Sequence, residues 1–211
     1  VNKKIPVDFR LYLITDRRLF SDDNFLFAAV EEALKGGVKA VQLREKDLGT
    51  RQLLKLAYET RRLTSKYRAK LFINDRVDIA LAVDADGVHL GGESMPAFAA
   101  RKAAGKALLI GVSAHSIGEA KKAGEEGADF ITLGPIFETP SKIKYGRPLG
   151  PGLLREARGK ISIPVFAIGG VKKERVSTVL ESGATGIALI SAILGSENIR
   201  SNTEEFMRLL K

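Results

Sequence analysis

Short, uninterrupted apolar runs alternate along this chain with longer stretches in which apolar positions recur every three or four residues. The short runs are LYLITD from Leu11, AVQLRE from Ala40, KLFIND from Lys70, GVHL from Gly87, LLIGVSA from Leu108, DFITLGP from Asp129, PVFAIGG from Pro164 and GIALIS from Gly186. Apolar runs of this length predict strands buried on both faces, the condition of a parallel sheet. The stretches between them, such as NFLFAAVEEALKGG, RQLLKLAYETRRLTSKY, IGEAKKAGEEGA and KERVSTVLESGA, carry helical spacing. Glycine-bearing endings such as EGAD and SGAT supply C-terminal punctuation for those helices. Eight strand–helix units within 211 residues predict a single (β/α)8 barrel domain of parallel strands spanning residues 1–211. An open doubly wound sheet is the alternative, but no G-x-G-x-x-G follows the first strand. The long polar connection IFETPSKIKYGRPLG, from Ile136 to Gly150, marks a functional loop after the sixth strand.

Composition narrows the class without changing this outline. The chain is 45% apolar and 28% charged, the balance of a globular protein. No run approaches the ~18–20 apolar residues needed to cross a bilayer. The opening VNKKIPVDF has no apolar run behind its basic residues and so does not read as a signal peptide. Zero cysteines exclude disulfides, thiolate metal sites and thiol nucleophiles. A cytoplasmic enzyme is the expectation. The net charge of +9 raises the question of nucleic acid. The basic clusters TRRLTSKYRAK and GVKKERV, however, alternate with apolar positions at helical spacing, as solvated helix faces do. The expected partners are therefore anionic small molecules, not nucleic acid or membrane. Pairing of the barrel with a copy of itself is left open.

In a (β/α)8 barrel, functional groups gather at the C-terminal ends of the strands and in the loops that follow. Those positions hold Thr15 and Asp16, then Gln42, Arg44 and Lys46, then Asn74 and Asp75. They continue with Gly91, Gly92, Glu93 and Ser94, with Ser113 and His115, and with Thr139, Ser141 and Lys142 in the long loop. Gly169–Gly170 and Ile190–Ser191 end the inventory. In extended chain Gln42, Arg44 and Lys46 share one face, while Val41, Leu43 and Glu45 share the other. The glycine pair and Ile190–Ser191, with SAILG as a short extra helix, suit a phosphate cradle, although glycine also serves a tight turn. Arg44, Lys46 and Lys142 place three cations at one mouth, with Asp75 available to a divalent metal. That combination suits a diphosphate, because Mg2+ binds through one or two carboxylates plus substrate phosphate oxygens. His115 at a strand end is a candidate general acid or base. His89, inside GVHL, reads as a packed, hydrogen-bonded barrel residue.

QLREK, FINDRVDIAL, DADGVHLG, GVSAHS, ADFITLGPIFETPSK and IPVFAIGGV…GATGIALISAI lie within Leu11 to Ile193. In sequence and in order they resemble the motifs of the family that unites thiamine-phosphate synthase with thiazole tautomerase. The resemblance implies a (β/α)8 transferase that uses Mg2+. Its reaction would join 4-amino-2-methyl-5-pyrimidinylmethyl diphosphate to thiazole phosphate and release diphosphate in a dissociative displacement. By similarity, Gln42, Arg44, Lys46 and Asn74 would bind the pyrimidine diphosphate, helped by Ser113 and Lys142. Asp75 would be a Mg2+ ligand, and Thr139, Ser141, Gly170, Ile190 and Ser191 would take the thiazole phosphate. One position departs from the family pattern. A second metal-binding aspartate is expected after GVHLG, and this chain has Ser94 in GGESMP, so Ser94 enters the expected metal site as a hydroxyl, with Glu93 or a water as substitutes. That departure and the FETPSKIKYGRPLG loop leave two alternatives. One is a tautomerase-type isomerase acting on carboxythiazole phosphate, with His115 carrying the proton. The other is a non-catalytic phosphate-ligand binder on the same barrel. The intact IND and REK favour the synthase.

Overall fold

The computed structural model describes residues 6–139 and 148–211. Eight strands close into one barrel in chain order. They are β1 (Leu11–Ile14), β2 (Ala40–Leu43), β3 (Lys70–Asn74), β4 (Gly87–Leu90), β5 (Leu109–Ala114), β6 (Phe130–Leu133), β7 (Val165–Ile168) and β8 (Gly186–Leu189). Every neighbouring pair is parallel, and β8 returns to β1 with Tyr12 opposite Ala188. The outer ring consists of α1 (Asp23–Lys35), α2 (Thr50–Lys66), α3 (Val77–Ala82), α4 (Ala97–Ala104), α5 (Ile117–Glu125), α6 (Gly150–Ala157) and α7 (Val176–Glu181). A short α8 (Ser191–Leu194) follows β8, as SAILG suggested, and α9 (Ile199–Leu209) packs back on α1. The barrel expected from the apolar runs is the fold observed. Several strands stop short of the runs because their polar ends, such as Arg44–Glu45 and Asp75, leave the ladder for the mouth.

The core has two layers, one between barrel and helices and one inside the barrel. Leu13, Val41, Ile131 and Ile187 face outward onto Leu26, Ala33, Val179 and Phe206. Phe9, Tyr12, Phe72, Phe130 and Phe166 fill the interior. Their rings meet mostly edge to face, with Phe72 and Phe130 5.4 Å apart at 81° and Tyr12 and Phe130 5.4 Å apart at 89°, the arrangement aromatic quadrupoles favour. Glycine makes room for them. A Cβ on Gly87 would lie 2.4 Å from the Phe72 ring, and one on Gly111 would lie 2.4 Å from Phe130.

The N-terminal rim is closed by a device repeated in pairs of strands. Asp86, just before β4, accepts hydrogen bonds from the Leu71 N–H at 2.8 Å and from Arg61 at 2.6 Å. Asp129, just before β6, does the same with the Ile110 N–H at 2.8 Å and Arg101 at 2.5 Å. Thr185, just before β8, accepts from the Val165 N–H at 3.2 Å. Each side chain thus satisfies a donor at the start of the preceding strand, which would otherwise lie unpaired at a buried edge.

Candidate active site

The positions of Arg44 and Lys46 follow from a residue that the alternation placed on the other face. Glu45 is buried, and its carboxylate accepts hydrogen bonds from the Thr15 hydroxyl at 2.5 Å and the Arg17 N–H at 3.0 Å. Thr15 in turn accepts from the Arg44 N–H at 2.9 Å. The segment after β2 is therefore fastened to the turn after β1, leaving Arg44 half-buried and Lys46 exposed. Burial pushes the Glu45 carboxyl upward from its usual range, and the Thr15 and Arg17 bonds oppose that rise.

Three strand ends meet at Asp75. Its φ of 61° is left-handed, an uncommon conformation that Asp and Asn tolerate better than most residues. Asp75 Oδ2 accepts from the Asn74 amide at 2.6 Å and stands 3.8 Å from Lys46 Nζ. Asp75 Oδ1 accepts from the Ser94 hydroxyl. The Gly91 N–H, at the end of β4, donates to Ser94 Oγ at 2.6 Å. Asp75 and Ser94 are thus brought together as the sequence suggested, whereas Glu93 lies exposed. No group of three His, Cys, Asp or Glu side chains suited to a metal occurs among the described residues. One carboxylate beside one hydroxyl still fits Mg2+, which keeps most of its positions for water and substrate phosphate oxygens. Lys46 and Asp75 are both substantially exposed, so their pairing adds little to stability.

Beneath this rim lies a polar floor. Gln42, His89 and Thr132 are buried, and Ser113 is half-buried above them. Gln42 Nε2 donates to the Tyr12 hydroxyl at 3.0 Å, which is 3.4 Å from His89 Nδ1. His89 Nε2 lies 3.0 Å from Ser113 Oγ. Burial pushes the Tyr12 phenol well above its usual range and the His89 imidazole down to about 3. Both are therefore neutral near pH 7. His89 is the packed barrel residue expected. Tyr12 and Thr132 were missed, although a phenol within a buried strand always needs a polar partner.

On the opposite side, the turn after β7 holds Gly169 at φ 93° and Gly170 at φ 63°. A Cβ on Gly170 would lie 2.4 Å from the Glu138 carbonyl, so close approach of the loop after β6 requires glycine here. The Phe137 N–H donates to the Gly169 carbonyl at 3.0 Å. Arg175 donates to the Gly170 carbonyl at 2.8 Å and stacks 4.6 Å over the Phe137 ring. These contacts join the two loops and carry Thr139, half-buried, toward the mouth. Ser141 and Lys142 lie outside the described residues. Ile190 and exposed Ser191 open α8 after β8. His115 sits at the rim between β5 and β6, its Nδ1 bonded to the Gly134 carbonyl at 2.5 Å.

The closed parallel barrel with its polar groups gathered at the C-terminal strand ends places the chain in the (β/α)8 class. The chain belongs to the thiamine monophosphate synthase family, whose pattern matches residues 11–193. A Geobacter sulfurreducens protein named provisionally as a thiamine-phosphate synthase is 54% identical over 204 residues, covering 97% of this chain and 95% of that one. The thiamine-phosphate synthase of Halalkalibacterium halodurans is 46% identical over 204 residues, covering 97% and 96% respectively. Among solved structures, thiamine phosphate pyrophosphorylase from Pyrococcus furiosus superposes with a TM-score of 0.87 at 43% identity, covering 96% of this chain and 95% of that one. No helix among the described residues is long and apolar enough to cross a membrane.

Proposed function

We infer that this chain is a thiamine-phosphate synthase. It transfers the pyrimidinylmethyl group of 4-amino-2-methyl-5-pyrimidinylmethyl diphosphate to the ring nitrogen of thiazole phosphate, and diphosphate leaves. The observation that carries the reading is the meeting of Lys46, Asp75 and Ser94 from three successive strand ends above a polar floor. An isomerase working on a monophosphate has no diphosphate for that meeting to serve.

In this reaction the C–O bond to the diphosphate breaks and an N–C bond to the thiazole forms, so negative charge grows on the departing oxygen. Arg44 and Lys46 stabilise that charge from the rim, with Lys142 assigned the same task by family resemblance. Gln42 and Asn74 hold the pyrimidine, and the Ser113 hydroxyl donates to the diphosphate. Thr139, Ser141, Gly170, Ile190 and Ser191 are assigned to the thiazole phosphate, setting its nitrogen in line with the reacting carbon. Asp75 and Ser94 would hold Mg2+, which supplies positive charge to the diphosphate oxygens when bound.

The test mixes purified protein with both substrates and titrates Mg2+ from none to excess. Thiamine phosphate and diphosphate are expected in equal amounts and only with metal. Absence of product at every Mg2+ concentration, from protein that binds thiazole phosphate, would overturn the reading. In the same assay Ser94→Asp supplies a second carboxylate and is expected to lower the Mg2+ needed for half-maximal rate on the order of 10-fold. An unchanged midpoint would remove Ser94 from the metal site.

A further inference from the structure

We propose that Tyr12 and His89 are a positioning pair that fixes the Ser113 hydroxyl as a hydrogen-bond donor to the anion in the mouth. The inference deepens the synthase reading and rests on it for the identity of that anion. Its geometric part stands apart from the reaction.

With the Gln42 amide donating, the hydrogens of the floor can be followed in turn. Gln42 Nε2 donates to the Tyr12 oxygen at 3.0 Å. The Tyr12 proton is then directed at His89 Nδ1, 3.4 Å away. A nitrogen that accepts carries no hydrogen, so the His89 proton resides on Nε2. From there it points at Ser113 Oγ at 3.0 Å, with Thr132 Oγ1 the longer neighbour at 3.5 Å. Thr132 donates to Ser113 Oγ as well, at 3.4 Å. Ser113 Oγ accepts twice from below, which occupies both lone pairs. Its own hydrogen must turn away from the floor, toward the mouth. A free serine hydroxyl can donate or accept, but this one can only donate, and it therefore selects an anionic oxygen over an N–H group.

The arrangement also accounts for a buried imidazole and phenol in a barrel whose other interior rings are phenylalanines. Apolar side chains would pack there without the cost of burying polar atoms. The network satisfies those atoms and places the surplus donor where the ligand sits.

The chain has two histidines, so a His115→Gln variant assigns both rings in a long-range 1H–15N NMR spectrum. In protein without substrate, His89 is expected to carry its proton on Nε2, with Nδ1 bare. A hydrogen on Nδ1 would overturn the proposal, whether or not the protein turns over substrate. Tyr12→Phe keeps the ring packing but removes the donor to Nδ1. It is expected to populate both His89 tautomers and lower kcat about 10-fold, with KM for thiazole phosphate unchanged. Because Tyr12 acts through Ser113, adding Ser113→Ala to Tyr12→Phe should give the loss of Ser113→Ala alone. Losses that multiply would show that Tyr12 and Ser113 act independently and overturn the positioning role. Correct tautomers without turnover would instead overturn the synthase reading and leave the pair standing.

Discussion

Asp75→Asn is expected to slow thiamine phosphate formation by about 100- to 1,000-fold while leaving the fold intact. Asparagine is the informative replacement because residue 75 has a φ of 61°. Asn tolerates that conformation, whereas alanine would add backbone strain to the lost charge. The amide keeps one oxygen for the Ser94 hydroxyl. Its NH2 would replace the oxygen that now faces the Asn74 amide and Lys46. The variant therefore loses the negative charge that aims Lys46 and the one carboxylate in the proposed Mg2+ position. Initial rates across a Mg2+ series, with thermal unfolding as the fold control, read the effect. A rate within about 3-fold of the parent would remove Asp75 from the reaction.

The largest stability effect is expected at the other end of the barrel. Arg101→Ala removes the guanidinium from a carboxylate, Asp129, whose side chain is 5% exposed. The same guanidinium donates to the carbonyls of Gly105 at 2.7 Å, Leu108 at 2.9 Å and Gly127 at 3.0 Å. Deleting one partner of a buried pair costs about 3–5 kcal/mol, and the loss here is expected toward the lower end because the Ile110 N–H still donates to Asp129. Urea unfolding of the variant should show a lower midpoint with an unchanged slope. Arg61→Ala should cost less, since its partner Asp86 has a side chain 30% exposed and water can replace the lost contact. Equal losses at the two sites would mean that burial does not set the cost.

The difference between what the sequence discloses and what it hides follows distance along the chain. A strand buried on both faces is a local run, so GVHL and PVFAIGG declare themselves, and barrel topology then assigns Asn74, Asp75, Ser94 and Gly170 to one end. The contacts that aim those groups join remote segments. Thr15 and Glu45 are 30 residues apart, and Tyr12 and His89 are 77 apart. Periodicity alone set Glu45 on the face away from the cations. The structure shows that it anchors the segment carrying them. Gly111 gave no sequence signal either, because its need to be glycine comes from the Phe130 ring of the next strand. Ser141 and Lys142 rest on family resemblance.

The five interior rings have a consequence for traffic. Phe9, Tyr12, Phe72, Phe130 and Phe166 leave the barrel solid beneath its polar floor, so both substrates and both products must share one doorway. Under the proposed assignments the two substrates lie side by side across that doorway, the pyrimidine diphosphate toward Lys46 and Asp75 and the thiazole phosphate toward Gly170 and Ile190. Under the same assignments neither group can leave through the far end of the barrel, so diphosphate and the joined product would both depart by the path their precursors entered.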